Sequence, residues 1–211
     1  GKGGGVTYGI FLKGGGRNGV VDGNVVDGGR RPGTVGISFG GGLTGAKWLG
    51  TADGKPVAEH DGGVAMNNIV VNTGDVALHS NNSSNCAFVN NLAWNCQSFQ
   101  RQGSYPADPV VANNLLAGQA RGAGQAAANV APQKAWFVDP DAGDFRLTPA
   151  GVAAVSGQGT AIPAVKADFF GTARKGGPNV LGPVLPGAKQ STKWIDRRAA
   201  SASGAQPRRG R

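Results

Sequence analysis

Three observations predict an all-β chain built as a solenoid, a parallel β-helix of about 23 residues per coil. The first is a recurring phrase: Gly23-Asn24-Val25-Val26, Asn67-Asn68-Ile69-Val70, Asn90-Asn91-Leu92-Ala93 and Asn113-Asn114-Leu115-Leu116. The asparagines at 68, 91 and 114 are evenly spaced, and Asn24 lies almost two such periods before Asn68. A fixed period of this length means one structural unit stacked on itself. Asparagines at a common phase can then form a ladder, each amide bonding the one above and below. The second is an internal match. Slid so that Gly9 falls on Val76, GIFLKGGGRNGVVDGNVV (9–26) overlays VALHSNNSSNCAFVNNLA (76–93), with Asn18 on Asn85 and Asn24 on Asn91. The third is composition: 38 glycines in 211 residues and only 16% charged residues suit tightly turning short strands rather than helices.

Each coil reads as apolar strand, polar bend, apolar strand, Asn turn, apolar strand. One coil cannot bury its inward side chains alone, but coils stacked ~4.8 Å apart share a core and saturate each other's backbone. Val35-Gly36-Ile37-Ser38-Phe39 starts the second coil, and the chain is then expected to leave it over residues 40–63. That excursion carries Lys47, Trp48, Asp53, Lys55, Glu59, His60 and Asp61, among them the chain's single Glu and one of its two His. Long loops on a repeat scaffold are where binding residues collect.

Past Asn114 the period fades through an irregular last coil, so the coils are assigned to 1–134. Trp136-Phe137-Val138-Asp139-Pro140, Asp144-Phe145-Arg146-Leu147-Thr148-Pro149 and Asp168-Phe169-Phe170-Gly171-Thr172-Ala173-Arg174 mark a capping segment, 135–186, expected over the last coil. Residues 187–211 form a basic tail expected to be disordered. The chain enters its repeat almost at once without a starting cap, from which preceding coils are expected. Cys86 and Cys96 fall in one coil on different strands and are expected as two unpaired thiols.

Charge narrows the partners. The formal charge is +9, but the stretch from Lys189 to Arg211 holds seven cations against Asp196, which leaves +3 for the chain up to Ala188. A nucleic-acid partner is therefore not expected, and no apolar run is long enough to span a membrane. The runs Gly14-Gly15-Gly16 and Gly40-Gly41-Gly42 fall at coil bends and lack the Lys-Ser/Thr of a phosphate loop. No Cys/His metal pattern occurs, and no metal-ligating residue is assigned. A glycosidase wants two paired acids, which the repeat region lacks.

The Asn-turn coils together with FVDPDAGDFRLTP and DFFGTAR resemble the C-terminal half of secreted bacterial right-handed parallel β-helix proteins, over roughly residues 5–185. Chondroitinase B and alginate lyases are the nearest enzyme group. The resemblance implies secretion to the periplasm or the exterior, and a uronate-containing polysaccharide as partner. It implies cleavage by β-elimination, with a Lys base, an Arg acid and a Ca²⁺ held by Asn and Glu of neighbouring coils. The alternative is a non-catalytic polysaccharide-binding or cell-surface protein on the same scaffold. A monomer is expected.

β-Elimination needs a cation to neutralise the carboxylate, a base for the C5 proton and a donor for the leaving oxygen. The internal overlay puts Lys13 on Ser80, and one further period puts Leu78 on Arg101, so Lys13 and Arg101 would share a face. Lys13, Arg101 and His79 are the catalytic candidates. His79 overlays Leu12, so alternation turns it inward, and a core or groove-edge histidine is the competing reading. Trp48, Lys47, Glu59, His60 and Tyr105 are the substrate-binding candidates, Trp48 and Tyr105 as flat platforms for sugar rings. Trp94 lies within a strand and is read as core.

Overall fold

A computed structural model describes residues 6–192 apart from 53, 104, 106, 107, 119 and 175–178. Parallel strands of successive repeats stack into four sheets. Sheet A holds the long strands Thr7–Leu12, Thr34–Phe39, Val76–Asn81 and Gln97–Gln102, with Ala120–Arg121 at its end. Sheet B joins Gly16–Arg17, His60–Asp61 and Ser83–Ser84. Sheet C joins Val20–Asp22, Val64–Met66, Ala87–Val89, Val110–Ala112 and Gln125–Ala127, and sheet D joins Val25–Asp27, Ile69–Val71 and Leu92–Trp94. The chain is thus all-β in its body, with parallel sheets whose stacking is compatible with a β-helix. Each of the first three coils carries one strand more than the sequence suggested, because the polar bend itself pairs as sheet B.

The asparagine ladder forms as its spacing predicts. Nδ2 of Asn24 donates to Oδ1 of Asn68 (3.1 Å), Asn68 to Asn91 (2.9 Å), and Asn91 to Asn114 (3.0 Å). Asn114 continues it to Asn129 (2.9 Å), a rung that comes early in the sequence and that the fixed period does not reveal. Each Oδ1 also accepts the backbone N–H of the preceding rung, at 2.8–3.1 Å. Asn68, Asn91 and Asn114 are fully buried. The residue just before each rung is left-handed: Gly23 (φ 65), Asn67 (φ 53), Asn90 (φ 55), Asn113 (φ 58) and Ala128 (φ 52). Asparagine tolerates that conformation, which explains the doubled Asn-Asn.

The core is a file of inward side chains: Val21, Val26, Ile37, Phe39, Ala65, Val70, Leu78, Phe88, Phe99, Val111 and Leu116. In sheet A, Ile10, Ile37, Leu78, Phe99 and Ala120 stand in register, as do Leu12, Phe39, Ser80 and Arg101. This corrects the uninterrupted overlay. Leu12, not Lys13, belongs with Ser80, whereas Gly16 and Ser83 keep the spacing of the overlay. The stretch Lys13-Gly14-Gly15 turns the first bend, where Asn82 alone suffices between the strands of the third coil. Arg101 likewise stands in register with Ser80, not with Leu78. Apolar contact fixes the strands, and the bends absorb the difference in length.

The excursion also ends earlier than expected. The chain leaves after Gly41, forms the short helix α1 (Ala46–Leu49) and the hairpin Thr51–Ala52 with Lys55–Pro56, and is back in the coil at Glu59. His60 and Asp61 are strand residues of sheet B.

The C-terminal segment lies along the flank of the coils instead of over their end. Trp136, Phe137, Phe145, Val155 and Leu181 pack on Ile69, Val71, Leu92 and Leu115, while Ile162 and Val165 pack on Val64, Met66, Ala87, Val89, Val110 and Ala112. Outward residues of sheets C and D are apolar because this segment buries them. Helix α2 (Pro149–Val155) starts from Thr148, whose hydroxyl accepts from the Gly151 N–H (3.2 Å), with Pro149 at its first position. Asn113 bonds Thr160 through both Oδ1 and Nδ2, Asn90 donates to the Val180 carbonyl (3.0 Å), and Arg174 donates to Asn67 Oδ1 (3.2 Å). The first asparagine of each pair therefore holds the flank and the second builds the ladder. Gly182 accepts no larger residue, since φ is 75° and a Cβ would sit 2.6 Å from Leu115 Cδ1. The chain stays bonded to this segment through Thr192, which donates to the Gly143 carbonyl and accepts from the Phe145 N–H, so the expected tail does not begin at 187. Its remainder, from 193, lies outside the described residues.

Candidate functional site

The corner between sheets A and B gathers most of the candidate residues, because the excursion lies along it. Leu49 of α1 rests on the Gly14-Gly15 turn of the first coil, where a Cβ on Gly15 would meet Leu49 Cδ2 at 3.3 Å. At its other end Tyr105 Oη, from the fourth coil, donates to the Val57 carbonyl (3.3 Å). Between them Glu59 clamps the departure point: its carboxylate accepts from the Thr44 backbone N–H and from Thr44 Oγ1 (2.8 Å). Glu59 is fully buried. It anchors the excursion and is not presented to a substrate. Replacing it with Ala leaves the Thr44 N–H without its acceptor, a cost of about 1–3 kcal/mol. The expected result is faster proteolytic nicking within 42–58, while Glu59→Gln, which can still pair with Thr44, keeps near-normal resistance.

Trp48 is the open surface of this corner, 72% exposed, with Lys47 Nζ 4.9 Å from the centre of its ring. Lys13 follows the strand Thr7–Leu12 and is half-buried beside Gly41, where a Cβ would come within 3.2 Å of Lys13 Cδ and 2.6 Å of the Phe11 ring. Phe11 stacks on Tyr8 at 4.0 Å between centroids, 5° from parallel. The sequence reading missed this pair, since residues three apart on an alternating strand face opposite sides. Here Gly9 and Ile10 both turn inward, Gly9 against Val26 and Ile10 into the core, so Tyr8 and Phe11 come together. The available signal was the small-residue column Gly9, Gly36 and Ala77, where Val26 and Val70 leave no room for a larger side chain.

The catalytic candidates are not brought together. Leu12 and Arg101 are separated by three strand steps, about 14 Å at ~4.8 Å each, and Lys13 lies one residue beyond Leu12. Arg101 is already engaged, with Nη1 2.5 Å from Asp108 Oδ1 and Nη2 donating to the Tyr105 carbonyl (2.6 Å). It ties down the loop that carries Tyr105. Burial and the neighbouring Glu59 charge raise the Tyr105 phenol pKa, which keeps it a donor and not a base.

Both histidines belong to the interior. His60 is 2% exposed, stacks on Phe39 at 4.8 Å, and accepts the Gly19 N–H at Nε2 (3.3 Å), while Nδ1 has no hydrogen-bond partner among the described residues. This removes it from the excursion's surface, where the sequence had put it. His79, in register with Ser38 and Gln100, is 6% exposed with no well-formed hydrogen bond at either ring nitrogen among the described residues. It is a buried histidine, as alternation allowed. Burial lowers the pKa of both rings, against Asp61 for His60 and against Asp75 and Gln102 for His79. The unfolded chain, with His near ~6.5, then binds protons that the fold refuses. Stability is complete above about pH 6.5 and falls as pH drops below it towards the folded-state values. Urea midpoints measured from pH 7.5 to 5 should decline, and His79→Phe should flatten the decline; a midpoint independent of pH in that range would contradict it.

The Ca²⁺ that the resemblance implies does not fit these residues. Both Glu59 oxygens are used by Thr44, and among the described residues no three His, Cys, Asp or Glu side chains converge. Cys86 and Cys96 are unpaired thiols, and burial raises the pKa of each. Trp94 is half-buried, its ring edge-on to Phe137 and Phe145, so it joins coil to flank.

Fold and corner together define a class: a chain of stacked parallel coils with an exposed cation-aromatic surface on one insertion. No protein-family model matches this chain, no curated protein matches it, and no solved structure matches it.

Proposed function

We propose that this chain is a secreted right-handed parallel β-helix protein of the pectate-lyase-like kind, and that it binds an acidic, uronate-containing polysaccharide along the corner between sheets A and B. The observation that carries the reading is the Trp48 platform with Lys47 set over its ring. A flat apolar face takes a sugar ring, and an adjacent ammonium takes its carboxylate. Lys13 lies beside Gly41, where the excursion departs, Lys55 is exposed in the excursion's hairpin, and neither is held in an ion pair among the described residues. Binding suits the corner better than cleavage. The proposed base and acid are about 14 Å apart at strand spacing, Arg101 is committed to Asp108, and His79 is buried.

Affinity electrophoresis through gels containing alginate, pectate or chondroitin sulfate tests this. The wild-type chain should be retarded by at least one of them, and Trp48→Ala should bind about tenfold more weakly. Equal retardation of both proteins would remove the site. Ultraviolet absorbance of an unsaturated uronate product, lost in Lys13→Ala, would instead establish β-elimination, the second reading.

A further inference from the structure

A cleft opens at the other edge of sheet A from Trp48, where the chain passes from sheet D into sheet A. Three successive turns build this edge, and they differ in length: two residues in the third coil (95–96), four in the second (72–75) and six in the first (28–33). The flank faces them with its Pro140–Ala142 turn, which ends at left-handed Gly143 (φ 78). Between turns and flank lies a cavity of about 300 Å³, floored by Trp94 and Phe145. That volume is at the small end of ligand-binding sites. The cleft opens sideways, not at an end of the stack.

Its polar wall is set in advance. Asn95 Nδ2 donates to Asn72 Oδ1 (3.4 Å), Asn72 Nδ2 donates to Asp27 Oδ1 (3.2 Å), and the Gly29 N–H donates to the same Asp27 oxygen (2.9 Å). This is a second ladder, and unlike the buried one it faces outward, with Asn95 exposed and Asn72 half-buried. Arg30 stands beside it in left-handed backbone (φ 57), which a long side chain seldom adopts, and it is held in no ion pair among the described residues. Trp94, read from the sequence as core, is only half-buried. Phe137 and Phe145 meet its ring at 83° and 67° and fix it, while part of the indole still lines the cavity.

We infer that this cleft binds a neutral pyranose ring. The indole takes the C–H face of the sugar. Carboxylate and carboxamide oxygens accept from its hydroxyls, and amide and guanidinium N–H groups donate to them. Charge decides against a uronate here. Asp27 and Asp141 line the cleft with Arg30, and Lys134, 2.5 Å from Asp141, brings the four charges to balance. The cleft and the Trp48 corner lie at opposite ends of the six-residue strands of sheet A, about 20 Å of chain. The inference therefore stands without the Trp48 reading.

Saturation-transfer NMR on the full chain tests it, with the methyl glycosides of glucose, galactose and mannose as probes. About a dozen non-hydrogen atoms at the ligand efficiency of ordinary small molecules give a Kd on the order of 1 mM, so each probe is used at about 20 mM. At least one should receive saturation, and methyl glucuronide should receive less. Asn95→Ala and Arg30→Gly are both at exposed positions, and the second also relieves the left-handed backbone. Each should weaken binding about fivefold or more, with an unchanged circular dichroism spectrum. Tighter binding of the matching disaccharide marks a glycan as the source and equal affinity a free sugar; either supports the cleft. The proposal is overturned if no neutral glycoside is saturated, if the glucuronide is preferred, or if either cleft variant binds like the wild type. Loss of binding in Trp48→Ala, which places the sugar at the other corner, overturns it as well.

Discussion

Asn91→Ala is expected to destabilise the fold by about 4 kcal/mol. Asn91 Oδ1 accepts from the backbone N–H and the Nδ2 of Asn68, and its Nδ2 donates to the Ala65 carbonyl and to Asn114 Oδ1. All four bonds vanish with the amide. The site is fully buried, so water cannot replace them. Asn91→Asp should do worse than its shape suggests: it keeps the acceptor but turns a charged oxygen towards the Ala65 carbonyl and Asn114 Oδ1. Urea denaturation gives the measurement, with a lowered midpoint at unchanged slope. A loss below about 1 kcal/mol for Asn91→Ala would mean the ladder follows the fold without holding it.

Arg174→Ala should release the flanking segment at a cost of about 3 kcal/mol or more. The guanidinium donates to the carbonyls of Ala167, Val180 and Gly182 and to Asn67 Oδ1, so one side chain joins two stretches of the segment to a coil turn. Burial lowers its pKa, opposed by Asp168 and Asp22, which keep it charged. Three carbonyls lose a donor together when it is removed. Arg174→Lys should fail nearly as badly, because an ammonium cannot span the four acceptors that the planar fork reaches. Without the segment, Ile69, Leu92 and Leu115 would be bared to water. Binding of a hydrophobic dye and early proteolysis after residue 131 are the expected signs. Wild-type protease resistance in Arg174→Lys would show that charge alone suffices.

These two residues also mark how far the sequence could be read. Asn91 was legible because a ladder requires one residue type at one phase, and the even spacing of the asparagines displays that phase directly. Arg174 was visible only as the last letter of a motif. Its role needs Asn67, more than a hundred positions away, and no local pattern records that contact. The candidate site was legible in part. The excursion was found from the broken period, and Trp48 and Lys47 lie on its surface as expected. Glu59 and His60 were assigned to the surface because polar residues at the end of an insertion usually face water. In the structure one is the clamp under Thr44 and the other is stacked on Phe39.

The sequence by itself determined the stacking unit, the ladder and the coil that breaks the period, because each depends on residues repeating at one phase. Tertiary structure alone decided the register in sheet A, where inward apolar columns outweighed the count of residues in the bends and moved Lys13 out of line with Ser80. It also decided where the C-terminal aromatics go. Trp136, Phe137 and Phe145 are apolar enough to cover any face, and the apolar outward residues of sheets C and D, together with the first asparagine of each pair, drew them to the flank. Burial is a property of the assembled surface, so a local pattern shows that a side chain seeks cover without showing which face provides it.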